Sequence, residues 1–342
     1  MTKMLRQVVG IDVDIKNLVV SLGRLHEDLE AELFAHKVFS NNTKGFSALT
    51  SWVKDRFDGS VKLLFVMEAT GVYHESLAYY LDELGYEVSV VLPNKISNYA
   101  RTLDVKTVTD KTSSEAIARF GLERKLDLWQ RPDPVLKRVK QLCRERDQIV
   151  SERTLVKNQL HAEKSEAQPN KSSIIRMTKR VELLNKQEKE IKKELDLLVK
   201  QDEKLVEDLK LICTIPGVGT LTAATILAET NGFNLIRSSR QLTSYAGLDV
   251  KEKQSGISVK GKPRISKRGN KFLRKSLHMP ALAAIRHDSH FRAIFVRLVS
   301  KHGIKMKAAV VVQRKLLELA YTLFKNRSVY NEFYQRQVVA LD

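Results

Sequence analysis

Several features are scarce or absent in the sequence, and each absence disfavours a class of protein. The chain has 2 cysteines, Cys143 and Cys213, without metal-site spacing, which suits a reducing cytoplasm. No run of about 18 apolar residues is present to cross a membrane, and we expect no cleavable signal at the N-terminus. The sequence contains no Gly-x-Ser-x-Gly motif, so serine-hydrolase chemistry has no support. Membrane, secreted and serine-hydrolase functions are therefore disfavoured.

Acidic side chains are too few to balance the basic ones. Among 342 residues, 59 are Lys or Arg and 40 are Asp or Glu, so the net charge is +19. A surplus of this size predicts a polyanionic partner. Without a membrane-spanning segment, nucleic acid is the better prediction than an anionic membrane surface. The length allows two or three domains.

Residues 1–130 have the pattern of an α/β domain with a mixed sheet. Three strands joined by short turns are followed by an alternation of helix and strand. Hairpin-linked strands run antiparallel, whereas strands joined through a helix can run parallel, so the sheet mixes both kinds of pairing. We expect strands at 7–13, 17–23, 31–39, 62–67 and 86–92, with helices near 46–57 and 73–84.

Three carboxylates follow buried or structured segments of this domain. Asp12 interrupts an apolar run, and Glu68 ends the strand predicted to lie parallel beside it. Open sheets place their sites at such carboxyl ends. Asp110 comes in a loop that we expect to enter a helix at Thr112. Clustered carboxylates without Cys or His select Mg²⁺ or Mn²⁺, although Asp12 alone could simply cap the next turn.

Residues 131–210 predict a pair of long amphipathic helices, interrupted at Gln168-Pro169-Asn170. The second helix carries a seven-residue apolar repeat from Met177 to Leu205. This pattern is typical of an antiparallel helical hairpin or of an intermolecular coiled coil. Arginines within the first seam weaken a self-sufficient pair. Joining of two or four copies through this arm is favoured over a monomeric arm packed on its own domain.

Residues 211–328 begin with a glycine turn between two predicted helices. Gly217 and Gly219 allow a tight turn, after which free helix amides can contact a phosphate, as in a helix-hairpin-helix. A plain helical turn inside a core is the alternative. Helices follow at 273–285, with Pro280 as a kink, at 291–299 and at 305–324. Residues 329–342 are expected to form a loose tail.

The most polar stretch runs from Lys251 to Lys275 and holds ten basic residues and one acidic residue. A run of this kind is typical of a solvated or phosphate-binding loop, in which Ser255 would be an ordinary residue. The residues predicted to contact nucleic acid here are Lys251, Lys253, Lys260, Lys262, Arg264, Lys267, Arg268 and Arg274.

Three motifs resemble a known family: Gly10-Ile-Asp12, Met67-Glu68-Ala-Thr-Gly71 and Thr109-Asp110-Lys. They are similar to the RuvC-like, ribonuclease-H-fold domain of the IS110 class of insertion-sequence transposases. That family has four acids, Asp, Glu, Asp and Asp, the last two three residues apart. The resemblance implies a metal site formed by Asp12, Glu68 and Asp110. The fourth position falls on Ser113, which departs from the pattern, so a serine or a water would complete the shell.

The same resemblance gives Ser255 a role. The Ser-Gly pair that follows Ala-Gly-Leu in this class carries a nucleophilic serine, and Ser255-Gly256 aligns with it, whereas Ser258 does not. The resemblance also implies a structured non-coding guide RNA that bridges donor and target DNA. It further implies a homo-oligomer, either a dimer or a tetramer. The protein would act in the cytoplasm of a bacterial or archaeal cell, associated with the nucleoid when active.

The resulting hypothesis is an RNA-guided DNA recombinase that moves an insertion sequence. One alternative is a metal-dependent, structure-specific endonuclease similar to Holliday-junction resolvases, in which water attacks and Ser255 is idle. The other is a decayed, non-enzymatic nucleic-acid-binding relative that has lost its fourth ligand at Ser113. A covalent protein–DNA adduct would separate the first alternative from recombination, and metal-dependent cutting would exclude the second.

Overall fold

The structure is a computed structural model that describes residues 3–57, 59, 61–103, 107, 109–234, 236–252, 254–255, 259–261 and 264–331. Of residues 254, 255, 259 and 260 it describes only the backbone. The chain divides into two compact units, Met1–Arg131 and Pro132–Asp342. The second unit contains both segments that the sequence analysis divides near residue 210, and that finer division stays a prediction.

The first unit is an α/β fold, and its described residues form five strands and four helices. Its strands are β1 (Met4–Val13), β2 (Asn17–His26), β3 (Ala31–Ser40), β4 (Leu63–Glu68) and β5 (Glu87–Val91). Its helices are α1 (Thr43–Lys54), α2 (Glu75–Glu83), α3 (Pro93–Ala100) and α4 (Asp110–Glu123). The strands lie close to the predicted ranges. Helix α3 is absent from the predicted elements. Pro93 follows the strand predicted at 86–92 and could simply close it, but proline also suits the first position of a helix, which it occupies here.

The five strands form one mixed sheet in the order β3-β2-β1-β4-β5. Strands β1, β2 and β3 pair antiparallel, and β1, β4 and β5 pair parallel. This confirms the prediction of a mixed sheet with β4 parallel to β1. The carboxyl ends of β1, β4 and β5 consequently meet at one edge, which is called the carboxyl edge below.

Both faces of the sheet are covered because apolar side chains of β1 alternate between them. Val9, Ile11 and Val13 join the core beneath α1 and α2. Val8 points the other way and packs with Ile117 of α4. The central strand is therefore buried on both sides, as its continuous apolar sequence predicts.

The second unit is mostly helical. Its helices are α5 (Pro134–Ser165), α6 (Lys171–Lys200), α7 (Glu203–Cys213), α8 (Thr220–Thr230), α9 (Ser239–Ala246), α10 (Lys271–Ser276), α11 (His278–His287), α12 (Ser289–His302) and α13 (Lys305–Asn326). The residues described between α9 and α10 include four two-residue strands: β6 (Val250–Lys251), β7 (Gln254–Ser255), β8 (Val259–Lys260) and β9 (Arg264–Ile265). No helix among the described residues is long and apolar enough to cross a membrane.

Helices α5 and α6 pack as an antiparallel hairpin within one chain. Arg146 of α5 contacts the buried Glu188 of α6 at 2.8 Å, and Arg153 also pairs with it. Burial alone would raise the pKa of Glu188, but hydrogen bonds from Lys192 and Arg153 and the charge of Arg146 lower it to about 2. Arginines within the apolar seam are expected to weaken the pair of helices. In the structure, Arg146 and Arg153 are neutralised by Glu188, because the packing of α6 on α5 places its carboxylate between them.

Two helix boundaries differ from the sequence analysis. The seven-residue repeat continues past Lys200, but α6 ends there and Asp202 caps α7 by accepting a hydrogen bond from the amide of Leu205 at 3.0 Å. Pro280 lies in the first turn of α11 and does not kink one continuous helix. A proline lacks the N–H that would bond back to the preceding turn, so the break falls before it.

Candidate active site

Asp12 and Glu68 lie side by side at the carboxyl edge. The parallel register pairs Gly10 with Val66 and Ile11 with Met67, which places the two acids at the next position of each strand. Both side chains are half-buried. The structure therefore brings together the first two acids that the sequence analysis singled out.

Asp110 reaches the same edge at the first residue of α4. The helix begins at Asp110 and not at Thr112, because the hydroxyl of Thr109 accepts the amide of Thr112 at 3.2 Å and caps the helix. Helix α4 then runs back along β1. A Cβ at Gly10 would lie 2.3 Å from the backbone nitrogen of Ala118, so only glycine permits this packing.

The acids interact electrostatically. Burial, and after it the negative charges of Glu68, Asp110 and Asp14, together raise the pKa of Asp12 to about 6. Asp14 was not among the predicted site residues; its signal was its position two residues after Asp12, on the turn that leaves β1. A cation at this edge would relieve the repulsion, and carboxylate oxygens are the ligands that Mg²⁺ and Mn²⁺ prefer.

The acids do not form a closed metal cage in this arrangement. Among the residues that the structure describes, no group of three or more His, Cys, Asp or Glu side chains is close enough to hold a metal ion. The donor chemistry and the mutual repulsion fit a divalent cation, but binding would have to draw the side chains inward. Ser113 lies half-buried in the first turn of α4, where its amide donates to the carbonyl of Thr109 at 2.8 Å.

Ser255 lies on a β-hairpin in the second unit, a structure that the sequence analysis treated only as a loop. Its backbone pairs with Val259, next to the pair formed by Gln254 and Lys260. The described residues include the backbone of Ser255 and Lys260 without their side chains. Lys253, Gly256, Ser258 and Lys262 lie outside the described residues. The structure therefore locates the backbone of Ser255. The prediction that its hydroxyl is the nucleophile stays untested.

The segments that flank this hairpin in the sequence also pair with each other, and they are called the hairpin base. Strands β6 and β9 pair antiparallel, and the hydroxyl of Ser266 donates to Asp249 at 2.5 Å. Most of the predicted phosphate-binding residues that are described here are exposed: Lys251, Arg264, Lys267 and Arg268. Arg274 is an exception, because its guanidinium donates to the carbonyl of Ala246 at 2.7 Å and so supports the fold.

A buried network that the sequence analysis missed holds the hairpin base. Glu229 of α8 has a fully buried side chain, and its carboxylate accepts two hydrogen bonds from Arg144 and one from Asn270 at 2.6 Å. Asn270 caps α10, and its backbone amide donates to the carbonyl of Tyr245. Glu229 carried no sequence signal, because it is one polar residue at the end of an apolar helix.

The two glycines of the turn before α8 have different surroundings. Gly217 has φ +81°, and a Cβ there would lie 2.5 Å from the carbonyl oxygen of Pro280. Gly219 has no neighbour within 4 Å of such a Cβ and precedes the first residue of α8. The first glycine therefore permits close packing on α11, and the second leaves the helix N-terminus open.

Comparison with known proteins identifies the family. A model of the IS110 DEDD transposases, described as a transposase, matches residues 9–163. A second model, described as the transposase IS116/IS110/IS902 family, matches residues 209–295. The two matches cover the acid-bearing unit and the hairpin-bearing segment respectively.

Whole-chain relatives carry compatible names. A pilin gene-inverting protein of Moraxella bovis is 29% identical over 304 residues, which cover 86% of this chain and 90% of the relative. The transposase for insertion sequence element IS1111A of Coxiella burnetii is 25% identical and covers 78% of each chain.

Among solved structures, RuvC of Thermus thermophilus in complex with a Holliday junction substrate aligns with 36% of this chain and 99% of its own. The sequence identity is 14% and the TM-score 0.28. The family matches in the two separate parts of the chain carry the assignment. The chain belongs to the IS116/IS110/IS902 family of transposases and is a DNA transposase or recombinase.

Proposed function

We propose that this protein cuts and rejoins DNA strands to move an insertion sequence, through metal-binding acids in a RuvC-like unit and a nucleophilic serine on the hairpin. The observation that carries the proposal is the meeting of Asp12, Glu68 and Asp110 at one sheet edge. Three neighbouring carboxylates without other ligand types are suited to phosphoryl transfer on nucleic acid.

Asp12, Glu68 and Asp110 would hold Mg²⁺ or Mn²⁺, with Ser113 or water in the fourth position. The cation, when bound, supplies polarisation of the scissile phosphate and stabilisation of the leaving oxygen. Asp12 would bind it only after losing its proton. Because burial and its acidic neighbours raise the pKa of Asp12 to about 6, cation binding should weaken in mildly acidic buffer.

Ser255 would attack a DNA phosphate. The Oγ–P bond would form as the bond between phosphorus and a deoxyribose oxygen breaks. The serine hydroxyl proton would leave to solvent, and the released deoxyribose oxygen would take up a proton from solvent and become the hydroxyl end of the cut strand. The exposed Lys251 and Arg264 at the hairpin base support this assignment by favouring both the incoming phosphate and the developing alkoxide. The open N-terminus of α8 at Gly219 offers a further phosphate contact.

The proposal includes a structured guide RNA and an oligomer. The similarity to this transposase class supports the RNA, and so does the net charge of +19. Base pairing would then choose donor and target DNA, as in other guided effectors. The α5–α6 hairpin would join copies of the chain. Co-purification of a defined non-coding RNA, transcribed from the flank of the gene, is the direct check of the first part.

The name of one relative favours recombination over simple cutting. A protein that inverts a gene must rejoin the strands that it cuts, and the Moraxella relative aligns with 86% of this chain. A structure-specific endonuclease that only cuts would leave Ser255 idle. Recombination is therefore the preferred function for this chain as well.

The acids are tested by substitution with binding as the control. Asp12→Ala and Glu68→Ala should abolish strand cleavage and leave DNA and RNA binding nearly intact, because each removes a ligand for the cation and no phosphate contact. Ser113→Asp should be tolerated and Ser113→Ala should lose less activity than either acid variant. Cleavage by the unaltered protein in excess chelator would refute the metal site.

The serine is tested by trapping a covalent intermediate. Ser255→Ala should eliminate both joining and the protein–DNA adduct, whereas Ser258→Ala should retain them. Mass spectrometry should place the nucleotide on the peptide that contains Ser255. An adduct on another residue, or joining by Ser255→Ala, would assign this hairpin to phosphate binding alone.

A further inference from the structure

Exposed apolar residues surround the acids at the carboxyl edge. Ile15 lies on the turn after β1, Val72 and Tyr73 lie on the loop after β4, and Leu92 follows β5; their exposed fractions are 57%, 67%, 39% and 58%. These four residues are called the apolar rim. Because β1, β4 and β5 are parallel, all four follow strand ends at the edge that carries Asp12 and Glu68.

Two of the three loops that carry the rim are joined to each other. The side-chain amide of Asn41 donates to the carbonyls of Asp14 at 2.8 Å and Tyr73 at 3.2 Å, so it links the turn of Ile15 to the loop of Tyr73. The hydroxyl of Thr70 donates to Glu68 at 3.2 Å. The same loop thus carries both the Thr70 hydroxyl, which is hydrogen-bonded to Glu68, and the exposed ring of Tyr73.

The Tyr73 ring has a defined position. A Cβ built on Gly71 would lie 3.4 Å from the ring, and Gly71 itself has φ +55°. The ring consequently packs over the turn that starts at Glu68. An aromatic ring held over a glycine turn, with more than a third of its surface exposed, offers a face for stacking.

Two exposed lysines lie near rim residues along the chain. Lys16 follows Ile15, and Lys95 follows Leu92 by three positions. A nucleotide combines a flat apolar base with an anionic phosphate, and so matches this combination of apolar and cationic side chains. An apolar protein segment would use the rim but would gain nothing from the lysines. The charge pattern therefore favours nucleic acid as the occupant.

We propose that the apolar rim binds unstacked nucleobases of the DNA strand next to the phosphate held at the acids. Tyr73 stacks on one base, and Ile15 and Val72 keep its neighbour out of the duplex stack. Apolar wedges and aromatic platforms act in this way on nucleic acids, and stacking on one aromatic ring changes binding by about 5- to 100-fold. This inference rests on the proposed cleavage function, because it takes the acids as the site of the scissile phosphate.

The test compares two short DNA duplexes that differ in one central thymine–thymine mismatch. Binding is measured with the Asp12→Ala protein, which cannot cut, so that the result does not depend on cleavage. This protein should prefer the mismatched duplex by about 5- to 100-fold. Adding Tyr73→Ala or Val72→Ser should reduce the preference to near equality, and adding Tyr73→Phe should retain it.

Leu29→Ser provides the matched control. Leu29 is 72% exposed on the turn between β2 and β3, so it shares the exposure and the unit of the rim residues but follows no strand end at the carboxyl edge. Its loss should leave the preference unchanged. A preference that persists in both Tyr73→Ala and Val72→Ser would overturn the inference.

A crosslink guards against variants that fold poorly. In the Asp12→Ala protein, 4-thiothymidine at the mismatch should crosslink under ultraviolet light to the peptide that contains Val72 and Tyr73. A crosslink confined to other peptides would also overturn the inference. Failure of the proposed function has a different signature, because it would be seen as cleavage that survives Asp12→Ala while the crosslink remains.

Discussion

Arg144 of α5 holds the fully buried carboxylate of Glu229 of α8, with Nε 2.7 Å from one oxygen and Nη2 2.8 Å from the other. Burial alone would raise the pKa of Glu229, but hydrogen bonds from Arg144 and Asn270 lower it below the usual value. The carboxylate is therefore ionised at neutral pH. It connects Arg144 in the N-terminal half of α5 to Asn270, which caps α10 after the β-hairpin that carries Ser255.

Removal of Arg144 should destabilise the protein strongly. Arg144→Ala leaves a buried charge with fewer partners, for which the expected loss is about 3–5 kcal/mol in the free energy of unfolding. Urea denaturation followed by circular dichroism measures it. Arg138→Ala is the control, since Arg138 and Glu194 form an exposed pair at 2.7 Å and its loss should cost less than about 1 kcal/mol. Equal losses in both variants would contradict this account.

Glu188 should make stability depend on pH in a defined window. Its pKa falls from 4.5 to about 2 in the folded protein, so its contribution is fully present above about 4.5 and is lost as pH decreases toward 2. The difference in unfolding free energy between the unaltered protein and Glu188→Gln should shrink across that window. Glu190→Gln, at an exposed position on the same helix, should show no such trend. A difference that is constant with pH would refute the assignment.

Gly10 should tolerate no side chain. In Gly10→Ala the new methyl group would meet the backbone of Ala118, displace α4 and move Asp110 from Asp12. The expected cost is about 1–3 kcal/mol of stability together with a loss of strand cleavage. Thermal melts and a cleavage assay test both effects. Gly59→Ala is the control, because nothing lies within 4 Å of a Cβ there; if both variants behave alike, the close approach of α4 is not required.

Nucleic-acid binding should weaken steeply with salt. If about six to ten phosphates are contacted, affinity should fall by roughly 10³- to 10⁵-fold between about 50 and 200 mM salt. Lys251→Ala and Arg264→Ala should each reduce the slope of log affinity against log salt by about one. Filter binding or fluorescence anisotropy gives the slope. A nearly flat dependence would contradict a phosphate-dominated role for the basic hairpin.

Local patterns were sufficient to predict much of the first unit. Apolar runs that stop at Asp12 and Glu68 predicted two strands, and the order of elements predicted their parallel pairing, which the register confirms. The local sequence did not reveal α3, because Pro93 can either end a strand or begin a helix and only the packing of Ile96 against the sheet distinguishes them.

The neutralising partners could not be predicted, because they come from distant parts of the chain. Arg146 and Arg153 were expected to weaken the helical pair, but the antiparallel register places Glu188 between them. The role of Glu229 likewise depends on Arg144 and Asn270, which donate hydrogen bonds to it from distant parts of the sequence. An isolated charge in an amphipathic pattern does not specify its partner, since many registers satisfy the apolar positions equally well.

The sequence by itself determined the chemistry that is available: a basic chain, three acids at the ends of structured segments and a serine in a polar stretch. Only the tertiary structure decided which of these groups meet. Strand register and the close approach of α4 at Gly10 place Asp12, Glu68 and Asp110 at one edge and add Asp14 to their electrostatic field. The physical reason is that residue type and spacing set local conformation, whereas the distance between charges depends on packing contacts made by residues far apart in the chain.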